Sequence, residues 1–91
     1  LKERELKKFL KDHPDWKANK HATELTTTFS SGDYVASLMF VARVTVVAEV
    51  LKHHPEITLS NQGVKIKLKT HSIKGLSKLD LLLAGKIDEL A

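Results

Sequence analysis

The stretch HHPEITLSNQGVKIKLKTH, residues 53–71, decides how this chain is read, because it folds back on itself with histidines at both ends. Ile57-Thr58-Leu59 and Val64-Lys65-Ile66-Lys67-Leu68-Lys69 alternate apolar and polar residues with the period of two that a half-buried strand requires. Gln62-Gly63 between them is the expected two-residue turn. That turn pairs Asn61 with Val64, Leu59 with Ile66 and Ile57 with Leu68. Apolar then meets apolar, and Lys65, Lys67 and Lys69 share the opposite face. A slip of one residue would undo the match. Carried to the ends of the ladder, the same register sets His54 opposite His71, with Cβ atoms about 4.5–5.5 Å apart.

The hairpin is preceded by a long apolar helix. Ser30-Ser31-Gly32-Asp33 is its expected start, with Ser30 as N-cap and Asp33 near the positive end of the dipole. The helix runs to about Lys52, so Glu49 and His53, four apart, lie on one face at its end. Two apolar stripes run along it: Tyr34, Leu38, Val41 and Ala48 on one side, Val35, Met39, Ala42 and Val46 on another. A helix lying on a sheet needs one such stripe. The second implies a partner subunit, so a homodimer or homotetramer assembled through helices is expected.

Toward the N-terminus, residues 1–11 place Leu6, Phe9 and Leu10 at helical spacing among charges, and Pro14 ends that helix. Trp16 opens a short strand. A second strand over residues 23–29, with Leu25, Thr27 and Phe29 on one face, pairs with it. After the hairpin, Ser77 caps a last helix and Asp80 supplies the N3 carboxylate of a capping-box start, with Leu76 stapled onto Leu81. Leu79, Leu82, Leu83, Ile87 and Leu90 are its expected apolar face. The order is α-β-β-α-β-β-α. A single α+β domain over residues 1–91 follows, a four-stranded antiparallel sheet with helices packed on one face.

Composition narrows the chemistry. Cysteine is absent, which removes disulfides, thiolate nucleophiles and sulfur-bound zinc, and suits a reducing, cytoplasmic setting. The chain opens on charged residues rather than on a signal peptide. Ser37, Arg43 and Glu49 interrupt the apolar helix, which argues against a membrane span. A net charge of +4 would suit an anionic partner, but the lysines are scattered over several elements, which argues against nucleic acid.

Three imidazoles with an acid beside them can supply a proton donor and a proton acceptor near neutral pH. A three-histidine zinc site built from His53, His54 and His71 is the competing use. Adjacent histidines on an extended chain point in different directions, which disfavours it. No metal is expected.

Ala48-Glu49, His53-His54-Pro55-Glu56, Thr70-His71, Gly75-Leu76-Ser77 and Asp80, in this order and spacing, resemble the pterin-4a-carbinolamine dehydratase family. The resemblance implies a hydro-lyase that dehydrates 4a-hydroxytetrahydrobiopterin to quinonoid dihydropterin, recycling the tetrahydropterin cofactor without a metal or organic group of its own. It also implies acid–base duty for His53, His54 and His71, with Glu49 and Asp80 as supporting acids. Lys52, His53, His54, Lys69, Thr70, His71 and Ser72 would line the pterin pocket. The alternative is a non-catalytic binding module of the same fold, engaging a protein or nucleic acid through its helical surface or through Lys65, Lys67 and Lys69.

Overall fold

The computed structural model describes residues 1–30 and 32–91. Its elements are α1 (Glu3–Asp12), β1 (Lys17–Ala18), β2 (Leu25–Phe29), α2 (Tyr34–Leu51), β3 (Glu56–Ser60), β4 (Gly63–Leu68), a short 3₁₀ turn (His71–Ile73) and α3 (Lys78–Leu90). The strands form one antiparallel sheet in the order β1-β2-β4-β3, so the hairpin's second strand lies at the centre beside β2. Leu25 of β2 and Ile66 and Leu68 of β4 are fully buried. They join Val44 and Ala48 of α2, Leu83, Ala84 and Ile87 of α3, and Leu6 of α1 in a single core. All three helices thus contribute to the core that covers the sheet's apolar face.

The hairpin keeps its faces but not its register. The observed partners are Leu59 with Val64, Ile57 with Ile66, and Ser60 with Gly63, so Asn61-Gln62 is the turn. This is a shift of two residues from the expected pairing, and a shift of two leaves every side chain on the same face. The reason lies in Gly63. It sits in the left-handed region (φ 128°), and a Cβ there would lie 2.1 Å from the Phe29 carbonyl oxygen. Glycine is needed where β4 passes the end of β2, not at the turn. The ladder ends at Glu56 with Lys67. Extended by arithmetic, the observed register opposes His54 to Lys69, and the expected opposition of His54 to His71 does not form.

The helix starts also separate. Asp33, not Ser30, caps α2: its Oδ1 accepts from the Val35 and Ala36 amides at 3.0 and 3.3 Å. Gly32 just before it is left-handed (φ 72°), which stops the helix from extending back to Ser30; Ser31 lies outside the described residues. On α2 the buried stripe is Ser37, Phe40, Val44 and Ala48, with Val41, Val47 and Leu51 half-buried. Tyr34, Val35, Leu38, Met39 and Val46 all face outward. The two stripes expected from spacing are therefore mostly one broad exposed face, with Val41 and Ala48 belonging to the inner one. α2 is long and apolar enough to cross a membrane by length and composition. Its inner stripe is instead built into the core, and Arg43 and Glu49 stand among its exposed residues. On α3, Leu82 is exposed rather than part of the apolar face, and fully buried Asp80 takes a place on the inner side.

Two polar ties hold α1 and β1 to the rest. The Asp88 carboxylate on α3 accepts from the Trp16 indole N–H at 3.0 Å and lies 2.7 Å from His13 Nδ1. Phe9 stacks on the His13 ring. His13 had no assigned partner by sequence; its anchor lies 75 residues away.

Candidate active site

α2 ends in a reversal that sorts two adjacent histidines. Lys52 adopts a left-handed conformation (φ 53°, ψ 38°), and its N–H donates to the Glu49 carbonyl at 3.2 Å. The His53 N–H reaches back to the Ala48 carbonyl at 3.0 Å. This pair of bonds is a Schellman closure, usually built on glycine. Beyond it, His53 turns toward the interior while His54 stays outside.

His53 Nε2 lies 2.5 Å from Asp80 Oδ1, with only 11% of the histidine side chain exposed and none of the aspartate's. The other carboxylate oxygen, Oδ2, accepts from the Thr70 hydroxyl at 2.7 Å and from the Ser77 amide at 2.9 Å. Thr70 Oγ1 is also 2.8 Å from Ser77 Oγ. An ionised carboxylate only accepts, so the His53 ring donates through Nε2–H and Nδ1 takes no part in that bond. Among the described residues every buried side-chain nitrogen or oxygen has a partner. His53 Nδ1 has no hydrogen bond among the described residues and is not fully buried.

Outside this buried knot lies an exposed one. His54 Nε2 is 2.9 Å from Glu49 Oε2, and Lys52 Nζ is 2.6 Å from Glu49 Oε1. The Lys52 ammonium first, and His54 second, hold the Glu49 carboxyl below the usual glutamate range. Glu49 therefore pairs with His54 and not with His53, its neighbour by helical spacing.

The third histidine is set by a small closed loop. Thr70 and Gly75 exchange both backbone bonds, at 2.8 and 3.3 Å, and the 3₁₀ turn between them puts His71 at the exposed tip. His71 and Ser72 are both solvent-exposed. Thr70 binds the same carboxylate as His53, so the two ends of the hairpin do meet, through Asp80 rather than through His54 and His71.

Lys69 turns to the open face of the sheet, 3.9 Å from Glu24. Lys67 beside it lies between Glu24 and Glu56 at 3.7 and 3.8 Å. Two of the three strand lysines are thus matched by acids, which removes most of the basic face that a nucleic-acid reading needs. Among the described residues no cluster of three or more His, Asp or Glu side chains has metal-holding geometry. His53 and His54, bound to different acids, do not converge.

Sequence reasoning gave Asp80 a cap's job and a supporting place in the site. It missed that Ser77 and Thr70 complete the same carboxylate. The signal was present as Ser77-x-x-Asp80 seven residues after Thr70, but the loop closure that brings Thr70 back is not written in any periodicity.

Known proteins resemble this chain in sequence and in fold. The family profile described as pterin 4 alpha carbinolamine dehydratase matches residues 1–90. A Hydrogenovibrio crunogenus protein provisionally named pterin-4-alpha-carbinolamine dehydratase is 40% identical over 85 residues, covering 93% of this chain and 75% of that one. A Chloroflexus aggregans protein of the same provisional name is 37% identical over 90 residues, covering 99% and 95%. Among solved structures, a protein described as a transcriptional coactivator/pterin dehydratase from Brucella melitensis superposes with a TM-score of 0.91 at 31% identity, covering 100% of this chain and 97% of that one. By profile, relatives and fold, this chain belongs to the pterin 4 alpha carbinolamine dehydratase family.

Proposed function

We propose that the protein dehydrates 4a-hydroxytetrahydropterins, 4a-hydroxytetrahydrobiopterin among them, to the quinonoid dihydropterin. The observation that carries this reading is the His53 ring, fixed at Nε2 by a buried carboxylate and unpaired at Nδ1. The reaction loses one water. An acid protonates the C4a hydroxyl, the C4a–O bond breaks, a base takes the N5 proton, and the N5–H electron pair becomes the C4a=N5 double bond. His53 Nδ1 suits the base. His54 and His71, both exposed, suit the acid, and Glu49 keeps its negative charge next to His54. Lys52, Thr70 and Ser72 keep the pocket places that the family resemblance gives them. Lys69 is the weakest of the proposed pocket residues, because Glu24 engages it on the sheet's other face.

The exposed face of α2 belongs to the same proposal. Six large apolar side chains, Tyr34, Val35, Leu38, Met39, Val46 and Val50, are each more than half exposed. A contiguous face of this kind needs a cover. A second copy of α2 is the occupant expected, giving a homodimer or homotetramer. The cysteine-free composition and cytoplasmic setting fit this enzyme. The binding-module reading loses its lysine face to Glu24 and Glu56 and keeps only α2.

The decisive test is the dehydration rate of enzymatically generated 4a-hydroxytetrahydropterin, with wild type beside a His54→Ala, His71→Ala double variant. Acceleration by wild type that disappears in the double variant is the expected result. Background rates from both would sink the enzymatic reading.

A further inference from the structure

The capping box of α3 and the candidate site share one carboxylate. Asp80 does a helix cap's work by accepting from the Ser77 amide, and an orienter's work by holding His53. Its Oδ2 takes both the Ser77 amide and the Thr70 hydroxyl, so Oδ1 is left to the histidine. Thr70 gives its only hydroxyl proton to Asp80, so in the 2.8 Å contact Ser77 Oγ is the donor, in preference to its longer 3.5 Å approach to Asp80 Oδ2. The result is a chain, Ser77 hydroxyl to Thr70 hydroxyl to Asp80 carboxylate to His53 ring. Every member is at least half-buried, and the Thr70–Gly75 bridge fixes where it starts.

We propose that Thr70 and Ser77 are positioning residues that aim His53 through Asp80. This rests on the dehydratase reading for its kinetic consequence, though not for its geometry. A rotatable carboxylate would let the His53 ring swing. Two donors on Oδ2 pin the carboxylate plane, and a pinned carboxylate pins the ring and its Nδ1. Fixing such a group matters because small misplacement of a reacting atom costs a large factor in rate. It also means that the last helix must be properly started for the site to be aimed.

Thr70→Val and Ser77→Ala remove the two hydroxyls, while Thr70→Ser keeps the hydroxyl and drops only a methyl group. The first readout needs no substrate: exchange with solvent of the His53 Nε2–H proton, followed by nuclear magnetic resonance. Thr70→Val should speed that exchange about tenfold or more, Ser77→Ala less, and Thr70→Ser should restore the wild-type rate. The second readout is kinetic. Thr70→Val should lower kcat by about ten- to hundred-fold with KM nearly unchanged. Unchanged exchange in folded Thr70→Val protein overturns the proposal. So does a variant that leaves kcat alone, since a hydroxyl that aims His53 acts on the chemical step. If exchange responds as expected while wild type fails to accelerate dehydration, the positioning chain stands and the proposed function falls.

Discussion

Three histidines assigned to one duty occupy three environments, and their substitutions should separate accordingly. His53 is the partner of a fully buried carboxylate, so His53→Ala leaves Asp80 Oδ1 without its hydrogen bond. Leaving a buried carboxylate oxygen without its donor costs about 3 kcal/mol, and urea unfolding of His53→Ala should show a loss of that size. His71 sits exposed on its 3₁₀ tip. His71→Ala should stay within about 0.5 kcal/mol of wild type in the same experiment, while dehydration falls sharply. Glu49 offers a pH prediction. Its carboxyl is lowered by Lys52 and then His54, so the folded state favours the ionised form. That contribution is present above the ordinary glutamate range and is lost as pH falls through the lowered value. Glu49→Gln should therefore be slightly less stable than wild type at neutral pH. The two urea midpoints should converge as pH is lowered below the ordinary glutamate range, the effect being small because the pair is exposed.

At the level of elements, glycine separates a requirement from a slack position. Gly63→Ala forces a methyl group into the Phe29 carbonyl at a left-handed φ and should destabilise by about 3 kcal/mol. Gly85, inside α3 with open space around its Cβ position, should accept alanine with a gain of about 0.5–1 kcal/mol. Thermal unfolding of the two variants side by side checks both signs. The same contrast explains what could be read from the sequence. Strand periodicity placed Leu59, Val64, Ile66 and Leu68 on the right face, because face depends only on parity. Register depends on which residues make the turn, and Gln62-Gly63 looked like that turn because glycine's reason, the passing β2 backbone, is non-local. Likewise Asp33 and Ser30 are equally good caps on paper, and the left-handed Gly32 between them decided the matter. The meeting of His53, Thr70, Ser77 and Asp80 lay in the recurring spacing of a family and in no local pattern of this chain.

At the level of the molecule, one face remains to be covered. If a second copy docks on α2, Val46→Glu should convert the assembly to monomers, as measured by light scattering at the outlet of a sizing column. The core stripe through Phe40, Val44 and Ala48 should keep each monomer folded. A wild-type chain that is already monomeric at micromolar concentration would remove the oligomer from the proposal. The split between the two adjacent histidines also reaches past any single experiment. Under the proposed function His54 and His71 serve the chemistry from exposed positions, whereas His53 serves it while also meeting the buried Asp80. Lineages of this fold that abandon catalysis for other work should shed His54 and His71 freely. In such lineages His53 and Asp80 should be lost together or kept together, so the pair marks ancestry and the outer histidines mark use.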